Sequence, residues 1–152
     1  MNFLTNLIQN KILIAVVITM LETQIVKGIL DALINHRFEI KRFFGDGGMP
    51  SAHAAVVASL CTACAFYCGA DSEAFAISIV LAMIVCRDAS GVRLETGKQA
   101  AAINELNEII EVLTSQDLPD VKLRELVGHT PMQVLVGLLN GIAVTLVLCW
   151  LL

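Results

Sequence analysis

Charged residues are scarce in this sequence: Asp, Glu, Lys and Arg together make up 16% of its 152 residues, against about 25% in a typical soluble domain. Aromatic residues contribute 5%, prolines number three, and hydrophobic residues reach 57%. This composition excludes a disordered chain, a collagen-like repeat and a disulfide scaffold. One domain of this length cannot bury so much apolar surface by folding alone, so we expect an integral membrane protein.

Basic residues are also in the minority, because ten Lys and Arg stand against 14 Asp and Glu and the net charge is −4. Nucleic acid requires a basic surface, so nucleic-acid binding is excluded. Cys61, Cys64 and Cys68 recur at steps of three and four residues inside an apolar run. Such a stripe is typical of small packing residues between membrane helices rather than of zinc ligands.

Four apolar runs are candidate membrane spans: residues 12–30, 52–70, 74–86 and 131–152. A spanning helix needs about 20 mainly apolar residues, and the second and fourth runs contain no formal charge. The third run is short, but only the polar turn 71–73 separates it from the second, which favours a hairpin. We predict an all-α fold, a polytopic membrane helical bundle of about four spans with one or two interfacial helices. Residues 1–152 would form a single domain.

The first run is interrupted by Glu22, Gln24 and Lys27. Charges at bilayer depth are costly and normally face protein or a wet cavity. Gln24, Lys27 and Asp31 share one helical face. Two interpretations stay open: Lys27 pairs with Asp31 at a helix end near the interface, or Lys27 reaches into a site at the membrane surface.

Four spans place residues 35–49 and 87–130 on one side of the membrane, and both termini with the turn 71–73 on the other. Eight of the ten basic residues then share the first side: Arg37, Lys41, Arg42, Arg87, Arg93, Lys98, Lys122 and Arg124. Because basic residues near spans mark the cytoplasmic side, we place this side in the cytoplasm and the protein in the cell membrane.

Residues 102–113 are predicted to form an amphipathic helix that is too polar to span the membrane. Its apolar residues follow three- and four-residue steps: Ile103, Leu106, Ile109, Ile110 and Leu113. Glu105, Glu108 and Glu111 occupy other faces. Helices that lie on lipid prefer Lys and Arg, so packing against protein is favoured. The segment 115–120, SQDLPD, is expected to end this helix.

The loop 45–53 opens directly into the second span. Its three glycines allow a sharp turn and bring backbone amides close to a ligand. Ser51 is a natural N-cap, and the helix N-terminus behind it is suited to an anion. His53 lies in the first turn. By itself this loop is more consistent with a simple helix cap.

His129 stands immediately before the last span, on the same side as His53 in the four-span topology. Two imidazoles beside cations and a glycine-rich anion loop suit phosphoryl transfer. In that chemistry one imidazole attacks phosphorus, the other protonates the departing oxygen, and cations stabilise the spread charge.

Three stretches of the sequence, GGMPSAHAA, CRDASGVR followed by GKQA, and GHTPMQVLVG, together resemble a known group. They look like the divergent branch of the type 2 phosphatidic acid phosphatase superfamily, which also includes acid phosphatases and vanadium haloperoxidases. The resemblance runs from about residue 24 to residue 141. It implies an integral membrane phosphatase that acts on a lipid phosphate through a phosphohistidine intermediate.

The resemblance also implies roles for individual residues. The superfamily's Pro-Ser-Gly-His motif matches residues 50–53, which would make His53 the general acid. Ser51 and nearby amides, that of Gly48 included, would hold phosphate oxygens. His129 would be the nucleophile, and Lys27 would correspond to the Lys of the first motif.

This chain departs from the superfamily pattern at four places. Ala52 replaces the Gly of the Pro-Ser-Gly-His motif. Gln133 stands where an acid should orient the nucleophilic His. The expected Arg-Pro after Lys27 is absent, since Ile34 and Asn35 stand there. Leu123 replaces the Arg expected six residues before His129.

Other residues are available to supply the missing charges. Arg124 or Arg93 would supply the cation, and Asp88 or Glu125 would replace the acid. Asp88 would orient Arg93 or partner a His. Lys98 is a further phosphate-binding candidate.

We therefore predict a lipid-phosphate phosphatase, with phosphatidylglycerophosphate as the leading substrate and phosphatidic acid or undecaprenyl diphosphate as the others. The alternatives are a catalytically weak protein that binds or moves a phosphorylated lipid, and a purely structural bundle. The resemblance implies no cofactor, although Asp88 beside a phosphate would suit Mg²⁺. The superfamily core usually has six helices, so either the interfacial segments complete the core or two copies assemble, and a homodimer is one expectation. The partners are then the bilayer, the phosphorylated lipid and a second copy.

Overall fold

The computed structural model describes residues 2–36, 47–114, 122–125 and 127–152, and every regular element in these ranges is a helix. The helices are α1 (Phe3–Ile8), α2 (Lys11–Asn35), α3 (Ala52–Cys68), α4 (Glu73–Arg87), α5 (Arg93–Thr114) and α6 (Pro131–Leu151), with a π-helical segment, Asp88–Val92, joining α4 to α5. Within the described ranges, α2, α6 and the continuous helix Glu73–Thr114 are long and apolar enough to cross a membrane, and α3 is a shorter apolar helix. The predicted all-α membrane bundle is confirmed.

Helix starts follow the local sequence. In four helices an N-cap side chain accepts a hydrogen bond from a backbone N–H three residues on: Asn10 for α2, Ser51 for α3, Ser72 for α4 and Thr130 for α6. At α6 the side chain of Gln133 also accepts from the Thr130 N–H at 3.0 Å, and Pro131 takes the first helical position. This capping box satisfies N–H groups that the first turn leaves open.

Helix α3 is the centre of the bundle and packs against α2, α4 and α6. Its inward residues are small, among them the buried Ala54, Ala55 and Ala58. Helix α6 approaches through Gly137 and Gly141, where an added Cβ would collide with the carbonyl oxygens of Ser51 and Ala55. Small residues four positions apart allow this close backbone contact between membrane helices.

Hydroxyl groups from three helices meet in the interior. Thr145 donates to Ser59 at 2.6 Å, and both lie 3.3 Å from the hydroxyl of Thr19. One turn further along α2, the amide nitrogen of Asn140 donates to the Glu22 carboxylate at 2.8 Å. Polar groups inside the apolar bundle are thus satisfied across helix interfaces, which ties α2, α3 and α6 together.

The two ends of the bundle are distinct. At one end Lys11 donates to the Leu152 carbonyl at 2.6 Å, and its nitrogen lies 5.7 Å from the centroid of the Tyr67 ring. The start of α2, the end of α3 and the end of α6 therefore meet there, as the four-span topology predicts. The other end holds the starts of α3 and α6.

The region from 88 to 113 differs from the sequence prediction. Helix α5 begins at Arg93, not near residue 102, and residues Asp88–Val92 form a π-helical continuation of α4. The Arg93 guanidinium bonds the Asp88 carboxylate at 2.6 Å. A five-residue separation suits the wider π-helical turn, because that turn brings positions i and i+5 onto one face.

Several predictions fall on residues outside the described ranges. These are the helix-ending segment 115–120, the start of the glycine loop at 45–46, and the basic residues Arg37, Lys41 and Arg42.

Candidate active site

The two histidines singled out from the sequence lie together. His53 is in the first turn of α3, and His129 directly precedes the N-cap of α6. Their ring centroids are 5.9 Å apart, with the ring planes inclined at 61°. The two rings are thus in edge contact beside the N-termini of α3 and α6.

His129 is held by backbone contacts from two other segments. Its N–H donates to the Ala89 carbonyl at 2.9 Å, and its Nδ1 lies 3.1 Å from the Gly48 carbonyl oxygen. A carbonyl oxygen only accepts, so Nδ1 carries the hydrogen and the lone pair of the neutral ring resides on Nε2. The ring is 2% exposed. The backbone therefore determines both its tautomer and its orientation.

The chain reaches His129 by running back along α5. The side chain of Asn104 donates to the Leu123 carbonyl and accepts from the Leu123 N–H, both at 3.0 Å. Further along, an added Cβ at Gly97 would stand 2.6 Å from the Glu125 carbonyl oxygen. Gly128, at φ +83°, lies against the backbone at the start of α5. Both glycines are needed because the two backbones are in direct contact.

Lys27 enters the site from α2. It is 5% exposed, and its Cε lies 3.1 Å from the position that a Cβ on Gly48 would occupy. Gly48 has φ +94°, a conformation that favours glycine. The Lys27 side chain thus extends from α2 to the loop whose carbonyl contacts His129.

The environment of His129 favours the neutral ring. Burial lowers the pKa of His129 below its ordinary value of 6.5, and the neighbouring Lys27 and His53 lower it further. Hydrogen bonds with Gly48 and with the Gln133 side chain act in the opposite direction. Because the pKa is lowered on balance, the ring is neutral at pH 7 and its Nε2 lone pair is available.

Ser51 links the two helix starts. It is fully buried, its N–H donates to the Gln133 carbonyl at 3.1 Å, and its hydroxyl caps α3. The N-termini of α3 and α6 are consequently adjacent and open toward the imidazoles. Backbone N–H groups at two helix starts make this end of the bundle favourable for an anion.

The Asp88–Arg93 ion pair belongs to the segment that contacts His129. Its members flank Ala89, whose carbonyl holds His129, and both side chains are partly exposed. Asp88 contacts Arg93, the residue that it was predicted to orient. The backbone at Arg93 also lies against Gly128, next to His129.

The structure does not bring Lys98 and Arg124 to the imidazoles. Lys98 is exposed and pairs with Glu95 at 2.8 Å. Arg124 is exposed, and the neighbouring Leu123 is hydrogen-bonded to Asn104. At ~1.5 Å per residue, Asn104 lies about 20 Å along the helix from Ala89. Ala89 is the residue whose carbonyl holds His129.

Two contributions were missed from the sequence. The carbonyl of Ala89 carries no side-chain signal, so it could not have been found. The Gly137 and Gly141 pair has the spacing of a close helix contact, which was available as a signal. In the ranges that the structure describes, no group of three His, Cys, Asp or Glu side chains is arranged to hold a metal ion.

Two comparisons of the sequence with known proteins give a match. A sequence model described as "Divergent PAP2 family" matches residues 8–144. A protein of Bacillus subtilis (strain 168), described as "Uncharacterized membrane protein YuiD", is 38% identical over 138 residues, which cover 84% of this chain and 86% of that protein. No solved structure matches the chain. The matched region includes both histidines, Lys27 and the Asp88–Arg93 pair.

Proposed function

The chain belongs to the divergent PAP2 family of membrane proteins, and from this premise we propose that it is a phosphatase that hydrolyses a phosphate ester of a membrane lipid. The observation that carries the proposal is the 5.9 Å separation of the His53 and His129 rings beside the buried Lys27. A nucleophile, a proton donor and a cation then share one anion-binding end of the bundle.

The proposed reaction has two steps. The Nε2 lone pair of His129 attacks phosphorus, the bond from phosphorus to the lipid oxygen breaks, and protonated His53 gives its proton to that oxygen. A water molecule then attacks the phosphohistidine, neutral His53 takes a proton from the water, and inorganic phosphate leaves. The second step returns to His53 the proton that it lost in the first step, and His129 is again a neutral imidazole.

The remaining residues of the site stabilise the charge on phosphorus-bound oxygens. Lys27 supplies a buried positive charge against Gly48, and the first turn of α3 behind Ser51 supplies backbone N–H groups. Charge stabilisation of this kind is stronger in a site that excludes water. Arg93, held by Asp88, would engage the phosphate or headgroup.

A lipid substrate follows from the position of the site. The imidazoles lie at the ends of apolar helices, where a headgroup would stand while its acyl chains remain in the bilayer. Phosphatidylglycerophosphate is the leading candidate if this side is cytoplasmic, with phosphatidic acid and undecaprenyl diphosphate as the other substrates to test.

The test is phosphate release from a panel of lipid phosphates by the purified protein in detergent or bilayer discs. We expect His129→Ala to abolish turnover and His53→Ala to reduce it by about 10²–10⁴-fold, the usual contribution of a general acid. His36→Ala is the matched control, because the third histidine is exposed just after α2. Wild-type rates in both site variants would refute the mechanism.

A second function is favoured by Gln133. This amide completes a helix cap where the superfamily pattern has an acid, and it brings no charge to His129. A chain of this kind would bind or move a phosphorylated lipid without cleaving it. Saturable binding of lipid phosphates from the same panel, with no turnover between about pH 5 and pH 9, would favour this function. That range includes the interval of about pH 5–8 in which imidazole changes its charge.

A further inference from the structure

Helix α5 has one face packed on its own chain and one face that is open. Gly97, Ala100 and Asn104 are buried on the first face, toward the segment that leads to His129. On another face four aliphatic side chains are exposed: Ile103 by 45%, Leu106 by 57%, Ile110 by 42% and Leu113 by 77%. In the part of the chain that the structure describes, this open face is a continuous apolar stripe at the end of the helix.

The spacing of the open face is that of a coiled-coil seam. Its four residues follow steps of three, four and three, so Ile103 and Ile110 take the a positions of a heptad, and Leu106 and Leu113 take the d positions. Within parallel coiled coils, Ile at a with Leu at d favours two strands. The pattern therefore indicates a helical partner and, for a parallel pair, a dimer.

The charges on α5 are compatible with an identical partner. In the same register Glu105, Glu108 and Glu111 occupy positions c, f and b, which point away from the seam. The flanking e and g positions hold no charged residue: they are Ala102, Asn107, Ile109 and Thr114. Two copies would thus meet without opposing like charges.

Lipid is a poor occupant for this face. Residues 102–114 contain three Glu and no Lys or Arg, whereas helices that bind the bilayer surface carry basic residues beside their apolar face. A second copy, in contrast, is held in the same membrane in the same orientation. Because α5 continues the apolar helix α4, a two-fold axis along the membrane normal relates two α5 helices that leave the membrane in the same direction, which suits a parallel pair.

We propose that the open face of α5 joins two copies of this chain as a parallel, in-register coiled coil. The continuous helix Glu73–Thr114 contains both an apolar segment that can span the membrane and the open face. Both copies are therefore confined to the plane of the membrane. This raises their effective concentration and compensates for a seam of only two heptads. This homodimer does not depend on the proposed phosphatase activity.

Cysteine cross-linking of the full-length protein in membranes tests the proposal. Leu106→Cys and Ile110→Cys lie in the seam, and Glu108→Cys on the back of the same helix is the matched control. Under mild oxidation we expect a disulfide-linked dimer from each seam variant, and none from Glu108→Cys or from the parent chain with its native cysteines. Same-residue disulfides also require a parallel, in-register pair.

A second variant separates dimerisation from folding. Ile110→Asp on the Leu106→Cys background should eliminate the dimer, whereas Glu108→Gln on that background should retain it. The proposal is overturned if the seam positions yield no dimer, if Glu108→Cys yields as much, or if the disulfide product has a mass other than twice that of the chain. Seam cysteines shielded from an aqueous thiol reagent without a dimer would assign the face to lipid instead.

Discussion

At the scale of single residues, Lys27 of α2 contributes to the lowered pKa of His129, which directly precedes the N-cap of α6. Burial is the main cause of the lowered pKa of His129, and the positive charge of Lys27 is the next. Since a neighbouring cation disfavours the imidazolium, Lys27 helps to keep the nucleophile neutral while it also attracts the anion that His129 attacks. One cation therefore acts on both partners in the proposed reaction.

Removing that cation should raise the pKa of His129. In Lys27→Met we expect the pKa to move upward toward 6.5 without reaching it, because the ring stays buried. The measurement is an NMR titration of histidine ring resonances in micelles, assigned with His129→Gln. Lys98→Met is the matched control, because Lys98 is exposed and pairs with Glu95. An unchanged pKa of His129 in Lys27→Met would show that the positive charge of Lys27 does not affect the protonation of the ring.

The same lowered pKa has a consequence for stability. The folded protein binds a proton at His129 less readily than the unfolded chain, so its contribution to stability is present above pH 6.5 and is lost as the pH falls through and below that value. The contribution of His129 to folding stability is thus greatest where the ring is neutral, and the neutral ring is also the form that the proposed reaction requires.

At the scale of elements, backbone contact between α3 and α6 determines how the two imidazoles meet. Gly137 and Gly141 let α6 touch the carbonyls of Ser51 and Ala55. Ser51 and His53 belong to the same first turn of α3, so the glycine contact also sets the separation of His53 from His129. Packing in the membrane and geometry at the site are therefore linked through one interface.

A single methyl group at this interface should be destabilising. We expect Gly141→Ala to lower the free energy of unfolding by about 1–3 kcal/mol, because the new Cβ meets the Ala55 carbonyl in a packed interface. Thermal unfolding in detergent would measure it. Gly91→Ala is the matched control, since its Cβ would have only the Arg87 side chain nearby, at 4.0 Å. Equal melting temperatures for the two variants would contradict the role given to this contact.

At the scale of the whole molecule, the arrangement of helices separates two membrane surfaces. Lys11, Tyr67 and Leu152 meet at one end, and the imidazoles with the starts of α3 and α6 occupy the other. Basic residues are concentrated on the side of the site, which predicts that it is cytoplasmic.

Thiol labelling across the membrane checks this orientation. On a Cys68→Ser background, which removes the exposed thiol at the end of α3, we expect Arg124→Cys to react with an impermeant reagent only in inverted vesicles. Asp71→Cys should react only in right-side-out vesicles or intact cells. The opposite pattern would place the site outside and change the lipids that it could reach.

Much of this fold was predictable from local sequence. Membrane insertion, the four apolar helices and the caps at Ser51 and Thr130 depend on composition over about 20 residues or on one helical turn. The extent of α5 was not predictable in this way. A Ser-Gly pair reads locally as a turn, and only the π-helical continuation with its Asp88–Arg93 ion pair carries the helix through it.

The sequence by itself determined that this chain enters a membrane and that His53 and His129 lie near one surface, because hydrophobic length and the parity of spans require it. Tertiary structure alone decided that Lys27 lies against Gly48, that His129 presents Nε2, and that Arg124 lies far from both rings. Gly48 and His129 are 81 residues apart in the chain. Contacts over such separations follow from the packing of whole helices, on which local sequence has little direct bearing.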